Sequence, residues 1–142
     1  MPIKISTDAA IAGCNAVVDM LDTLGVDNKL CVYSGVAPAS PEDPLAGNTL
    51  LIEFALKDPA FGAAVDANNG GTATLDTPDP TTALATGTAS FFRLLMGDGL
   101  TCLVQGDVTD TAGTGSLKLS SVAVIQDIDV SVVSLTMTLP KG

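Results

Sequence analysis

Hydrophobic and polar positions along the chain follow two different periods. Over residues 8–25 the period is helical. At roughly 100° per residue, Asp8, Asn15, Asp19 and Asp22 fall within a narrow arc, while Ala10, Cys14, Val17, Leu21 and Leu24 lie opposite. This predicts one amphipathic helix with a wide apolar face. Ser6, Thr7 or Asp8 can cap it, and Gly25 can stop it. Residues 1–7 precede it as an N-terminal arm. An apolar helix face of this kind either covers an open part of a sheet or docks on a partner subunit.

From Lys29 onward the period shortens to that of strands. Lys29–Ser34, Asn48–Lys57, Thr72–Leu75, Ala89–Met96 and Leu100–Gln105 are apolar or alternating runs. Asn68-Asn69-Gly70-Gly71 is a strong turn signal. Gly97-Asp98-Gly99 reads as a short hairpin loop. Val36–Gly47 carries Pro38, Pro41 and Pro44 and reads as an extended loop, longer than most connections. Asp76–Thr82 is a second proline-containing break. The last strand runs from Asp129 to Leu139, and its alternation slips between Val132 and Val133. Such a slip predicts a β-bulge or a transfer between sheets. The expected fold is mainly β. It is a β-sandwich or jelly-roll-like domain of about seven to nine strands over 29–140, with one N-terminal helix in a single 1–142 domain.

Composition narrows the function. The 142 residues carry 16 Asp+Glu against 6 Lys+Arg, a net charge of −10, and only 15% are charged. Average soluble domains have about 25%. Mean hydropathy is nevertheless +0.44, which excludes a disordered chain. Six cations, with Arg93 the sole arginine, exclude phosphate-backbone binding. No stretch approaches the ~18 apolar residues of a membrane span, and the start lacks a secretory pattern. Nucleic acid and membrane are therefore not expected partners, and synthesis in a cytoplasm is expected.

Chemistry is scarce as well. The chain has no histidine, so a Ser-His-Asp triad or a Cys-His nucleophile is impossible. Cys14, Cys31 and Cys102 are widely spaced, without C-x-x-C, and read as small buried side chains. Asp66-x-Asn68-Asn69-Gly70-Gly71 alternates oxygen ligands as a calcium loop does, but the later bidentate acid is absent. Asp127 and Asp129 could share a strand face, but neither histidine nor lysine lies beside them in sequence. Thr111–Gly115 lacks a phosphate-loop lysine. No catalytic, cofactor or metal residue is expected, and the chain reads as a non-enzyme. Arg93, within Phe91-Phe92-Arg93-Leu94-Leu95, reads either as a snorkelling strand residue or as an interface anchor.

The order of segments carries a resemblance. An Ala/Leu-rich helix precedes Leu30-Cys31-Val32-Tyr33-Ser34-Gly35-Val36-Ala37-Pro38-Ala39-Ser40-Pro41. Leu50-Leu51-Ile52-Glu53-Phe54, Ala60-Phe61-Gly62-Ala63 and Gly87-Thr88-Ala89-Ser90-Phe91-Phe92-Arg93-Leu94 follow. This resembles the capsid cement (decoration) proteins of tailed bacteriophages. The resemblance implies a non-enzymatic virion protein on the outer surface of the head, bound to the major capsid protein. It also implies self-association, with a homodimer favoured over a trimer. It carries over no active-site residues. A tail-associated or host-facing binding module is the alternative, and 4% aromatic content weighs against it. Extended segments suit lattice binding. The expected contacts are therefore Ile3 and Ile5 of the arm, Pro38, Pro41 and Pro44 of the loop, and Tyr33, Phe91, Phe92 and Arg93 as anchors.

Overall fold

Strand residues alternate between two faces, and this chain fills both faces of its central strands. The computed structural model describes residues 3–23, 28–97, 99 and 101–142. The expected helix end at Leu24 and Gly25, and Asp98 of the hairpin loop, lie outside them. Helix α1 spans Thr7–Thr23. The strands are β1 (Lys29–Tyr33), β2 (Leu50–Ala55), β3 (Val65–Ala67), β4 (Gly70–Thr74), β5 (Thr81–Thr82), β6 (Gly87–Thr88), β7 (Phe91–Leu95), β8 (Cys102–Thr109), β9 (Leu117–Leu119), β10 (Ala123–Val124), β11 (Asp129–Val130) and β12 (Val132–Pro140).

The protein is mainly β with one N-terminal helix. Eight strands form one mixed sheet in the order β2-β1-β7-β8-β9-β12-β4-β3. The remaining four are two-residue pieces that pair as β10-β6 and β11-β5, which brings the total above the expected seven to nine. A parallel pairing of β8 with β9 joins the two halves of the large sheet. Both halves feed one core, in which Leu30, Ile52, Phe54 and Phe92 from one side meet Leu117, Leu119 and Leu135 from the other.

Local chemistry explains the joints. Asn68 and Asn69 have φ of 55° and 56°. They form the two-residue loop between β3 and β4 that a primed turn requires. The phase slip in the last strand is a register shift between Val132 and Ser134 against β9. Gly106 sits opposite Phe92 on β8, and a Cβ there would lie 2.7 Å from the phenyl ring.

Helix α1 is capped by Ser6, whose Oγ accepts from the Ala9 N–H at 3.1 Å. Ala10, Cys14, Val18 and Leu21 are buried, while Val17 is half-buried. Thus the helix face is rotated slightly toward Val18. That face lies on β4 and β12 of the same chain. The contact is close: a Cβ at Gly71 would lie 2.4 Å from the Ala10 carbonyl oxygen. Asn28 donates its side-chain amide to the Leu21 carbonyl. The N-terminal arm is tied to the body at Ile5, whose N–H donates to the Lys141 carbonyl at 2.9 Å. Ile5 is half-buried, and Ile3 stays 87% exposed.

The close approach of helix to sheet is testable. Gly71→Ala must push two backbones apart and is expected to cost about 1–3 kcal/mol in urea unfolding. Gly62→Ala is the control, since its nearest neighbour would be the Thr74 carbonyl oxygen at 3.8 Å.

Candidate functional site

β1 and β7 pair so that Cys31 faces Arg93 and Tyr33 faces Phe91. Leu30, Val32, Phe92 and Leu94 enter the main core. On the opposite face Cys31, Tyr33 and Phe91 make a second cluster with Leu50 and Leu95. The rings of Tyr33 and Phe91 stack with centroids 5.3 Å apart. Arg93 belongs to this second face and is 6% exposed.

The proline-rich loop covers that face. An irregular segment cannot satisfy its backbone through a strand ladder, so other groups must do it. Arg93 Nη2 donates to the Asp43 carbonyl at 2.8 Å and to the Ser40 carbonyl at 3.3 Å. Arg93 Nε donates to Gln105 Oε1 at 2.9 Å. Gln105 Nε2 in turn donates to the Pro38 carbonyl at 2.7 Å. At the loop's ends, Asn48 Nδ2 donates to the carbonyls of Ser34 and Val36, and Ser90 Oγ donates to that of Gly35. Within the loop, the Asp43 N–H donates to the Ser40 carbonyl at 3.0 Å. The loop is therefore held in one shape by four side chains, three of them from the sheet or its margin and one from the loop's own end.

The structure places the expected anchors inside the protein. Tyr33, Phe91, Phe92 and Arg93 are all buried. Phe92 points into the main core, because alternation separates it from its neighbour Phe91. Arg93 neither snorkels nor presents itself outward; it turns to the loop carbonyls. Pro38 and Pro41 are half-buried, and Pro44 is exposed. Val36 is 88% exposed. Sequence reading missed Gln105, Asn48 and Ser90. The hairpin that pairs Arg93 with Gln105 carries a register shift between Leu94 and Leu95. Counting back from the turn therefore would not have matched the two.

A cleft of about 510 Å³ lies beside the loop, bordered by Pro41, Pro44, Arg93, Leu95 and Cys102. Thiol chemistry is suppressed both at the cleft, in Cys102, and in the cluster beneath the loop, in Cys31. Burial, aided by Glu53, pushes the Cys31 thiol up to about 11. Burial also raises the Cys102 thiol, with Arg93 acting against it, and pushes Tyr33 to about 12. Both thiols are thus in the weakly nucleophilic protonated form near neutral pH. Cys14 is buried in the main core and donates to the Met137 carbonyl.

The other sequence candidates also have structural partners. Asp66 pairs with Lys141 at 3.9 Å, and Asp129 accepts from Thr82 Oγ1 at 2.8 Å. Among the described residues, no three acidic or cysteine side chains gather as a metal site. No helix among them is long and apolar enough to cross a membrane. Comparison with protein-family models, curated proteins and solved structures finds no match for the chain.

Arg93→Met removes the loop's central donor while keeping most of the side-chain volume. It is expected to cost about 2 kcal/mol and to speed amide exchange in residues 38–46, with less change in β12. The raised Cys31 and Tyr33 values set a pH dependence. Their neutral forms are favoured by folding, so this stability is complete below pH 9 and falls as pH rises toward about 11. Urea midpoints at neutral pH and at about pH 10.5 should show the loss, and Cys31→Ala should reduce it.

Proposed function

We propose that the protein is a non-enzymatic structural protein of a tailed phage. In this reading it binds the outer surface of the head and stabilises the lattice of the major capsid protein. The observation that carries it is the proline-rich loop, held in shape by Arg93, Gln105, Asn48 and Ser90. A preorganised loop loses little entropy on binding, and its prolines lower that loss further. The work of such a protein is binding energy summed over many lattice contacts.

The contact residues are revised accordingly. Val36, Pro44 and Leu45 at the loop surface, together with Ile3 of the arm, are exposed apolar side chains. Tyr33, Phe91 and Arg93 support the loop from beneath. All five aromatic residues are buried, which favours head binding over a tail or host-facing module built on an aromatic recognition surface. Self-association as a homodimer, and a jelly-roll-like relationship to other head proteins, belong to the same proposal. The −10 charge keeps the free chain soluble before assembly.

Imaging of virions containing this chain, at side-chain resolution, tests the reading. Density for the protein is expected at regular positions on the outer head lattice, with residues 36–45 at a capsid contact. Finding the chain on the tail, or nowhere on the particle, would defeat the proposal.

A further inference from the structure

The segment 81–89 inverts the usual polarity of a strand at a core. It runs antiparallel to 123–130, pairing Thr81 with Val130 and Thr82 with Asp129 at one end, and Gly87 with Val124 and Thr88 with Ala123 at the other. Both pairs share one register, so the two short ribbons are the ends of a single interrupted one. Its inward positions are small: Ala83 and Ala89 are buried, and Ala85 packs against the core. A Cβ at Gly87 would lie 3.0 Å from Leu51, so little room exists beneath it. Thr82, Thr86 and Thr88 face solvent, and between them sits Leu84, 52% exposed.

Two further aliphatics join Leu84. The Ala83 N–H donates to the Ile128 carbonyl, the Asp127 N–H to the Ala83 carbonyl, and the Ile128 N–H to the Ile125 carbonyl. These bonds fix a turn in which Asp127 takes φ 69°, and they bring Ile125 and Ile128 beside the Leu84 segment. Ile125 is 59% and Ile128 57% exposed. Three large aliphatics, each more than half exposed, thus lie along one hydrogen-bonded turn and its partner segment, and exposed apolar surface of this kind is what interaction sites use. The charges along this ribbon and its approaches are Asp79, Asp127 and Asp129, with no lysine or arginine in 79–92 or 119–133.

We infer that the middle of this ribbon is a docking surface for a different protein, one presenting an apolar patch rimmed by Lys or Arg. A second copy meets the charge requirement poorly, since it would bring the same acidic rim against itself. A cationic rim complements Asp127 and Asp129 while the aliphatics supply the buried area. This rests on the head-binding reading for the identity of the partner, and it adds a second contact made by residues other than those of the proline-rich loop.

The test uses the full chain and heads purified without it. Leu84→Ser/Ile125→Ser/Ile128→Ser alters only side chains more than half exposed, so the unfolding midpoint should hold within a few degrees. Co-sedimentation with heads is expected to weaken by about tenfold or more. Asp127→Asn/Asp129→Asn keeps the turn, because Asn tolerates positive φ, and should weaken binding and flatten its salt dependence. Wild-type binding with undiminished binding of both variants would overturn this inference and leave the head-binding reading intact. Failure of the wild-type chain to bind heads would instead defeat that reading, and this inference with it. Sedimentation equilibrium supplies the remaining outcome: a wild-type dimer that the triple serine variant dissociates would assign the surface to a second copy and overturn the proposal.

Discussion

A guanidinium removed from water needs hydrogen-bond acceptors around it, and the second face of this protein is organised by that demand. Arg93 finds carbonyls at Ser40 and Asp43 and an amide oxygen at Gln105. The loop that supplies the carbonyls has no strand partner of its own, so the need is mutual. Loop and sheet are each completed by the other. The rings of Tyr33 and Phe91, and Leu50 and Leu95, gather on the same face. The proline-rich segment thereby acts as a layer of the fold as well as a connection.

Small residues determine how closely the remaining layers approach. Gly71 admits the backbone of α1, Gly106 admits the ring of Phe92, and Gly87 lies just above Leu51. Backbone in place of side chain brings layers together without bulk. The low charge and positive mean hydropathy fit this arrangement. Much of the chain is Ala, Gly, Ser and Thr, spent on close contacts and ordered loops. Larger apolar side chains fill one core shared by both halves of the sheet.

Features dictated by local chemistry were legible in the sequence. The helix, the Asn68-Asn69 turn, the antiparallel pairing of β7 with β8 and the bulge near Val132 all follow from periodicity and turn preference. The mainly β class followed from the spacing of short runs. Features that depend on which face a residue occupies were harder to read. Phe91 and Phe92 looked like a joint anchor, but alternation sends them to opposite sides of β7. Arg93 looked exposed because no sequence neighbour could hide it; the loop that does so begins more than fifty residues earlier in the chain. The two-residue strands escaped notice because Thr81–Thr82 and Gly87–Thr88 are too short and too small to generate an alternation signal. The tie between Ile5 and Lys141 leaves no local signal, because the two residues lie more than a hundred positions apart.

The stacked Tyr33 has an optical consequence. The chain holds one tyrosine and no tryptophan, and that tyrosine lies against Phe91 on the face that the proline-rich loop covers. Near-ultraviolet fluorescence of the protein therefore comes from one position, without the energy transfer to indole that obscures tyrosine elsewhere. Loosening of the loop, or its seating on another surface, alters the surroundings of that single phenol. The molecule carries its own reporter at the junction of loop and sheet, readable with no added label.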